Sequence, residues 1–202
     1  MAHEGLWLQL SRLEPGLTAG RTKCKYLEQS RRYLITFLNK NYFVNPAERK
    51  ITFVEGESEG PEAGFLEQLC ILVYLINAQD LPMADKYVGP ELLKGGQFFF
   101  RGPHSLPTEQ LEAVFGEDPK KLLELTDKFN AEPYNFGDAS IRLLILPRIP
   151  LTIVVWRRCD EFPARATFLF DQTAAEHLPL DALWTAVKLA VNTLIQAADG
   201  TT

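Results

Sequence analysis

The chain predicts an α+β fold built around an antiparallel β-meander, and three observations carry that prediction. Apolar runs, turn residues and ionisable groups meet only in residues 141–184, where two apolar runs flank Pro147-Arg148-Ile149-Pro150 and a third follows a charged corner. Strand-like and helix-like runs are segregated along the chain, the order of an α+β protein and not of an alternating parallel one. Two helical stretches, Phe65–Asn77 and 179–198, offer apolar surface to cover the meander.

Taken in order, residues 5–13 place Leu6, Leu10 and Leu13 on one helical face before Pro15-Gly16 stops the element. Residues 33–38 and 42–44 flank Asn39-Lys40-Asn41, a three-residue hairpin connection, and 51–54 adds a third strand. Residues 55–64 are acidic, glycine-rich and without large apolar groups, which predicts a mobile surface loop inside one domain. Phe65–Asn77 is too long for an ordinary strand and apolar on every face, so it reads as a helix at the centre of the domain, with Cys70 in the core. Residues 81–107 hold too many turn formers to be regular. Two neighbouring helices follow, 107–115 closed by Gly116, and 119–130 with Asp118 as cap and Leu122, Leu125 and Phe129 facing inward.

In the meander, Leu143 and Ile145 alternate with Leu144 and Leu146, and Ile153 and Val155 with Val154 and Trp156. Strands apolar on both faces need cover on both sides. The Phe65–Asn77 helix and the C-terminal helix, with Leu183, Val187, Val191 and Leu194 along its stripe, are there to supply it. Asp181 suits the helix dipole and Gly200 lies past the end. No internal repeat is visible in the residues.

Length and composition set the outer bounds. With 202 residues, 46% hydrophobic and 23% charged, the chain has the makeup of one globular domain, 1–202. Its net charge of −5 and dispersed basic residues give no footprint for a phosphate backbone, so nucleic acid is not an expected partner. No apolar run approaches the roughly 20 residues of a membrane span, and the start has no basic region before an apolar core, which predicts a cytoplasmic protein. Cys24, Cys70 and Cys159 are far apart and odd in number, so neither disulfides nor a metal cluster is expected from this chain alone.

The segments 98–107, 146–150, 161–171 and 177–180, in that order, resemble a bacterial and archaeal family known only as a domain of unknown function. The resemblance covers 65–194. Members of that family occur alone or beside an iron–sulfur module in anaerobes. The resemblance therefore implies a setting in anaerobic redox or one-carbon metabolism and an iron–sulfur or corrinoid partner, and it supplies no catalytic residue.

Candidate residues gather at two places. The loop Arg101-Gly102-Pro103-His104-Ser105 has an arginine that can clamp an anion, a histidine that can bond, ligate or shuttle a proton, and Phe100 beside them for an apolar group. Its plain structural reading is a capping turn. The corner Arg157-Arg158-Cys159-Asp160-Glu161, with Arg165 after it, offers an internal Glu161–Arg165 ion pair, or else a solvated turn. Asp160 and Glu161 point oppositely in an extended segment and do not share one proton. Asp171 and His177 are further candidates, and His104 and His177 with Asp171 or Asp160 would make a two-histidine, one-carboxylate set that no helical spacing supports.

The expected function is binding of a small molecule or anion where the 101–105 loop faces the Glu161 and Arg165 corner. A small acid–base enzyme using His104 with Glu161 or Asp171 is one alternative. A module that docks on an iron–sulfur partner is the other. No motif specifies a cofactor or a reaction.

Overall fold

The computed structural model describes residues 3–56 and 58–200. Its elements run in two similar series. The first has helices α1 (Glu4–Leu10) and α2 (Pro15–Thr22), strands β1 (Lys25–Leu27), β2 (Arg32–Phe37), β3 (Lys40–Asn45), β4 (Lys50–Glu55) and β5 (Ser58–Glu62), then helix α3 (Phe65–Asn77). A linking stretch holds β6 (Tyr87–Val88) and the short helix α4 (Gly96–Phe99). The second series has helices α5 (Thr108–Phe115), α6 (Lys120–Leu123) and α7 (Thr126–Phe129), strands β7 (Glu132–Tyr134), β8 (Ala139–Leu146), β9 (Ile149–Trp156) and β10 (Arg165–Asp171), then α8 (Ala174–His177) and α9 (Leu180–Ala198).

The strands form two antiparallel sheets, ordered β1-β2-β3-β4-β5 and β6-β10-β9-β8-β7. The α+β class, the meander, the central helix and the C-terminal helix thus stand where the apolar pattern puts them. In the second sheet the register pairs Ile141 with Ile153, Leu143 with Leu151, and Ile153 with Phe168, which puts these side chains on one face. That face and the buried sides of α3, α5, α6 and α9 make one continuous apolar core. Helix α3 packs on α9, α1 and α2, and α9 packs along β8. Among the described residues no helix is long and apolar enough to cross a membrane.

The β2–β3 connection is shorter than expected. Leu38 and Asn39, with φ of 48° and 59°, form a two-residue turn whose twist suits a hairpin, and Lys40 already pairs with Phe37. Leu38 accepts this left-handed conformation because its side chain is buried and its N–H donates to Ile145 O at 3.0 Å. Residues 58–62 are not a loop but an edge strand, while Glu57 lies outside the described residues. Helix α1 ends at Leu10, well before Pro15, and Pro15 instead opens α2, with Glu14 accepting from the amides of Gly16 and Leu17. The stretch 119–130 is two short helices, because the Thr126 hydroxyl donates to Leu123 O at 2.8 Å and diverts the helical ladder.

The two series repeat an order that the residues do not advertise: two or three helices, a four-strand meander, and a closing long helix, which α8 precedes in the second series. The fifth strand sits beside β4 in one sheet and beside β10 in the other, supplied by different parts of the chain. Glu14-Pro15 and Asp118-Pro119 stand at matching helix–helix junctions.

Gly137 turns β7 into β8 with φ 61°, and a Cβ there would stand 2.8 Å from both Val154 Cγ1 and Val155 O. Gly137→Ala should therefore lower stability by roughly 2–3 kcal/mol, from left-handed strain plus overlap with backbone. A urea midpoint unchanged from the parent at equal m-value would contradict this.

Candidate functional site

Strands β9 and β10 stay paired up to Trp156 and Arg165, and the chain leaves the sheet over residues 157–164. The equivalent β3–β4 connection needs only 46–49. A charged stretch with Pro163 cannot continue a ladder, so it is pinned at its edges instead. Arg157 N donates to Asp138 Oδ2 at 2.7 Å, Arg158 N donates to Gly116 O at 3.0 Å, and Cys159 N donates to Phe162 O at 3.0 Å. Arg158 Nε also pairs with Glu117 at 3.2 Å.

This corner bounds a cleft of about 460 Å³ lined by Trp156, Arg157, Cys159, Phe162, Arg165 and Asp138, with Pro163 and Ala164 completing the wall. A second hollow shares Asp138 and Arg157 with it and runs to the α5–α6 junction at Asp118 and Lys120. Arg165 lies over the indole of Trp156, 5.5 Å from its centroid. Among the described residues neither Arg157 nor Arg165 has a carboxylate within 4 Å, whereas Arg158 does. Two guanidiniums beside an aromatic wall can take an anion through forked hydrogen bonds and an apolar body by stacking. Phe162, 67% exposed, adds apolar surface at the rim.

The structure does not bring the two expected halves of the site together. The loop holding Arg101, His104 and Ser105 packs on α9: Trp184 Nε1 donates to Ser105 O at 3.1 Å, and the His104 ring stacks on Phe99 at 4.5 Å and meets Trp184 edge-on at 5.4 Å. Phe100 stacks on Phe170 at 6.2 Å. Phe170 and Arg165 are at opposite ends of β10, about 16 Å apart at roughly 3.3 Å per residue. Packing of the half-buried Phe100 on β10, and of the exposed His104 ring against Trp184 of α9, decides where the loop goes.

The Glu161–Arg165 ion pair does not form, because Arg165 is held on the sheet over Trp156 while Asp160 and Glu161 stay exposed in the corner. Asp171 is buried, and its Oδ1 accepts from Ala84 N, Thr173 N and Thr173 Oγ1. Burial opposes its ionisation, yet these hydrogen bonds outweigh it and hold its pKa below the usual carboxylate value. His177 is fully buried, with neither ring nitrogen hydrogen-bonded among the described residues. Burial and the nearby Arg148 charge push its pKa down, against Asp171 and Glu176. Neither residue opens on the corner cleft. No three His, Cys, Asp or Glu side chains gather as a ligand set among the described residues.

All three cysteines are free. The Cys70 thiol is pushed up to about 12 by burial, so the core residue is inert, while Cys159 stands at the cleft rim. The residues missing from the sequence reading are Trp156, Phe162 and Asp138. A signal for the first two was present: a connection of 157–164 after a tryptophan is long for neighbouring antiparallel strands. Asp138 has no sequence signal, since only the β7–β8 turn carries it to Arg157.

No curated protein and no solved structure matches the chain. A family model does, over residues 14–193, which takes in both sheets, the corner cleft and most of α9. The chain therefore belongs to the family described as Domain of unknown function (DUF3786).

Proposed function

We propose that this protein binds a small anion with a flat apolar body in the 156–165 cleft, and that it works as a binding or accessory protein. One observation carries the reading: Arg157 and Arg165, two guanidiniums without carboxylate partners among the described residues, line a cleft walled by Trp156 and Phe162. Unpaired arginines beside aromatic surface are the chemistry of an anion site. Acid–base catalysis has less support, because His104 is stacked between Phe99 and Trp184 and makes no hydrogen bond to Glu161 or Asp171 among the described residues. The natural ligand belongs, on this reading, to anaerobic redox or one-carbon metabolism in the cytoplasm.

The test is calorimetric titration with 2-naphthoate. Trp156→Ala and Arg165→Ala should each weaken binding about tenfold or more, the equivalent of roughly 1.4 kcal/mol, while His104→Ala leaves it unchanged. Absence of saturable binding, or equal affinity in all variants, would remove the cleft from the argument. A second reading has its own observation. Phe98 and Leu92 are 78% and 68% exposed on the linking stretch, apolar surface of the kind that docks a partner, such as an iron–sulfur or corrinoid protein.

A further inference from the structure

We infer that the first half of the chain carries a second ligand cleft, topologically equivalent to the corner cleft, which takes a small aromatic carboxylate through Arg31. The inference goes beyond the function proposed for 156–165 and stands on different residues.

The positions correspond connection by connection. The corner cleft and its neighbouring hollow lie where three connections converge: α5–α6 at Pro119, β7–β8 at Asp138 and β9–β10 at Arg157. In the first half the matching connections are α1–α2, β1–β2 and β3–β4, and they converge as well. They bound a cleft of about 220 Å³ to which they contribute Leu13 and Pro15, Arg31, and Pro46 respectively. Tyr26 and Tyr33, at the strand ends, complete it. The repeated architecture thus produces a cleft twice. The first is smaller because the β3–β4 turn closes over 46–49, with Asn45 Oδ1 accepting from Ala47 N and Glu48 N.

The chemistry of this cleft fits an anion with one ring. Its walls are aliphatic, proline and tyrosine, with the Tyr26 and Tyr33 rings 5.1 Å apart and tilted by 57°. The volume lies below the roughly 300 Å³ at which pockets for drug-sized ligands begin, so the occupant is a fragment rather than a nucleotide. Arg31 supplies the charge. It holds φ 52° at the end of the β1–β2 turn, a conformation uncommon outside glycine, and no carboxylate lies within 4 Å of it among the described residues. Glu14, the acid at the neighbouring junction, is occupied by the amides of Gly16 and Leu17. An arginine left open beside a ring-sized apolar hollow complements a carboxylate on an aromatic ring.

The experiment is an amide-resolved NMR titration of the full chain with benzoate, and with benzamide as its neutral counterpart. Saturable shifts are expected at Ser11, Leu13, Tyr26, Arg31 and Ala47. Arg31→Gln should weaken the benzoate response there about tenfold or more while leaving any response at 156–165 intact, and Trp156→Ala should do the reverse. Benzamide should bind the first cleft at least about tenfold more weakly than benzoate. Unsaturable or absent shifts at those amides, an Arg31→Gln variant with parent affinity, or benzamide binding as well as benzoate would each overturn the inference. Loss of the 156–165 response alone would count against the function proposed there and leave this cleft standing.

Discussion

Arg148→Ala should lower the stability of the protein by roughly 3–5 kcal/mol, because it strips two carbonyls near the core of their donor. Arg148 stands in the β8–β9 turn, only 5% exposed, and joins three parts of the chain. Its Nε donates to Arg21 O at 2.6 Å, one terminal nitrogen donates to Leu81 O at 2.6 Å, and the other pairs with Asp80 at 2.7 Å. The chain end of α2, the segment after α3 and the second sheet therefore meet on one guanidinium. Arg21 extends the same junction, donating to Leu75 O at 2.5 Å and to Ala78 O. Truncating Arg148 leaves two carbonyls near the core without their donor, each costing about 1–3 kcal/mol. Asp80 is 80% exposed at its side chain, so Asp80→Ala should cost under about 1 kcal/mol. Thermal unfolding would show the difference as a fall of roughly 6–20 °C for the arginine variant, since 1 kcal/mol shifts a chain of this size by about 2–4 °C. If the arginine variant melts within a degree or two of the parent, the guanidinium does not hold α2, the segment after α3 and the second sheet together.

Arg148 also marks a boundary of what the residues disclose. It sits in Pro147-Arg148-Ile149-Pro150, which reads plainly as a turn, but a turn says nothing about which distant carbonyls an arginine will find. Length and apolar content did disclose Phe65–Asn77, apolar runs bounded by turn residues disclosed the three long strands of the second sheet, and an apolar stripe at the helical period disclosed the C-terminal helix. None of these could disclose β5, whose residues Ser58, Glu59, Gly60, Pro61 and Glu62 carry no apolar face. That strand is held by its neighbours, through the Arg32–Glu59 ion pair and the Gln68 amide donating to Glu62 at 3.0 Å, as polar edge strands can be. The repeated order of helices, meander and long helix was illegible for a similar reason: it is preserved in connections, not in residue types. At the site, the charge-rich corner was legible as a cluster. Its separation from the 101–105 loop was not, because stacking of Phe100 on Phe170 is a tertiary choice among several apolar surfaces.

Stability should fall as the pH drops below about 6.5, and His177 should be the main cause. An unfolded histidine titrates near 6.5, whereas burial and the Arg148 charge hold folded His177 below that value. Just below pH 6.5 the unfolded chain therefore binds a proton that the native one does not, and stability declines with a limiting slope of about 1.4 kcal/mol per pH unit. The decline ends once the pH passes below the folded pKa, where both states are protonated. The stabilisation is fully present above the unfolded pKa. Asp171 acts in a separate window: its folded pKa is depressed, so its contribution is present above its unfolded value near 3.9 and is lost as the pH falls through the folded one. Urea denaturation at pH 8, 7, 6 and 5 separates them. His177→Leu, which removes two unbonded ring nitrogens from a buried place, should flatten the profile between pH 7 and 5. Asp171→Asn should lower the profile as a whole and, by removing a charge that supports the imidazolium of His177, should leave its fall between pH 7 and 5 at least as steep. Parallel profiles for the parent and His177→Leu would mean that the imidazole titrates alike in both states, and that its two nitrogens are solvated despite their burial.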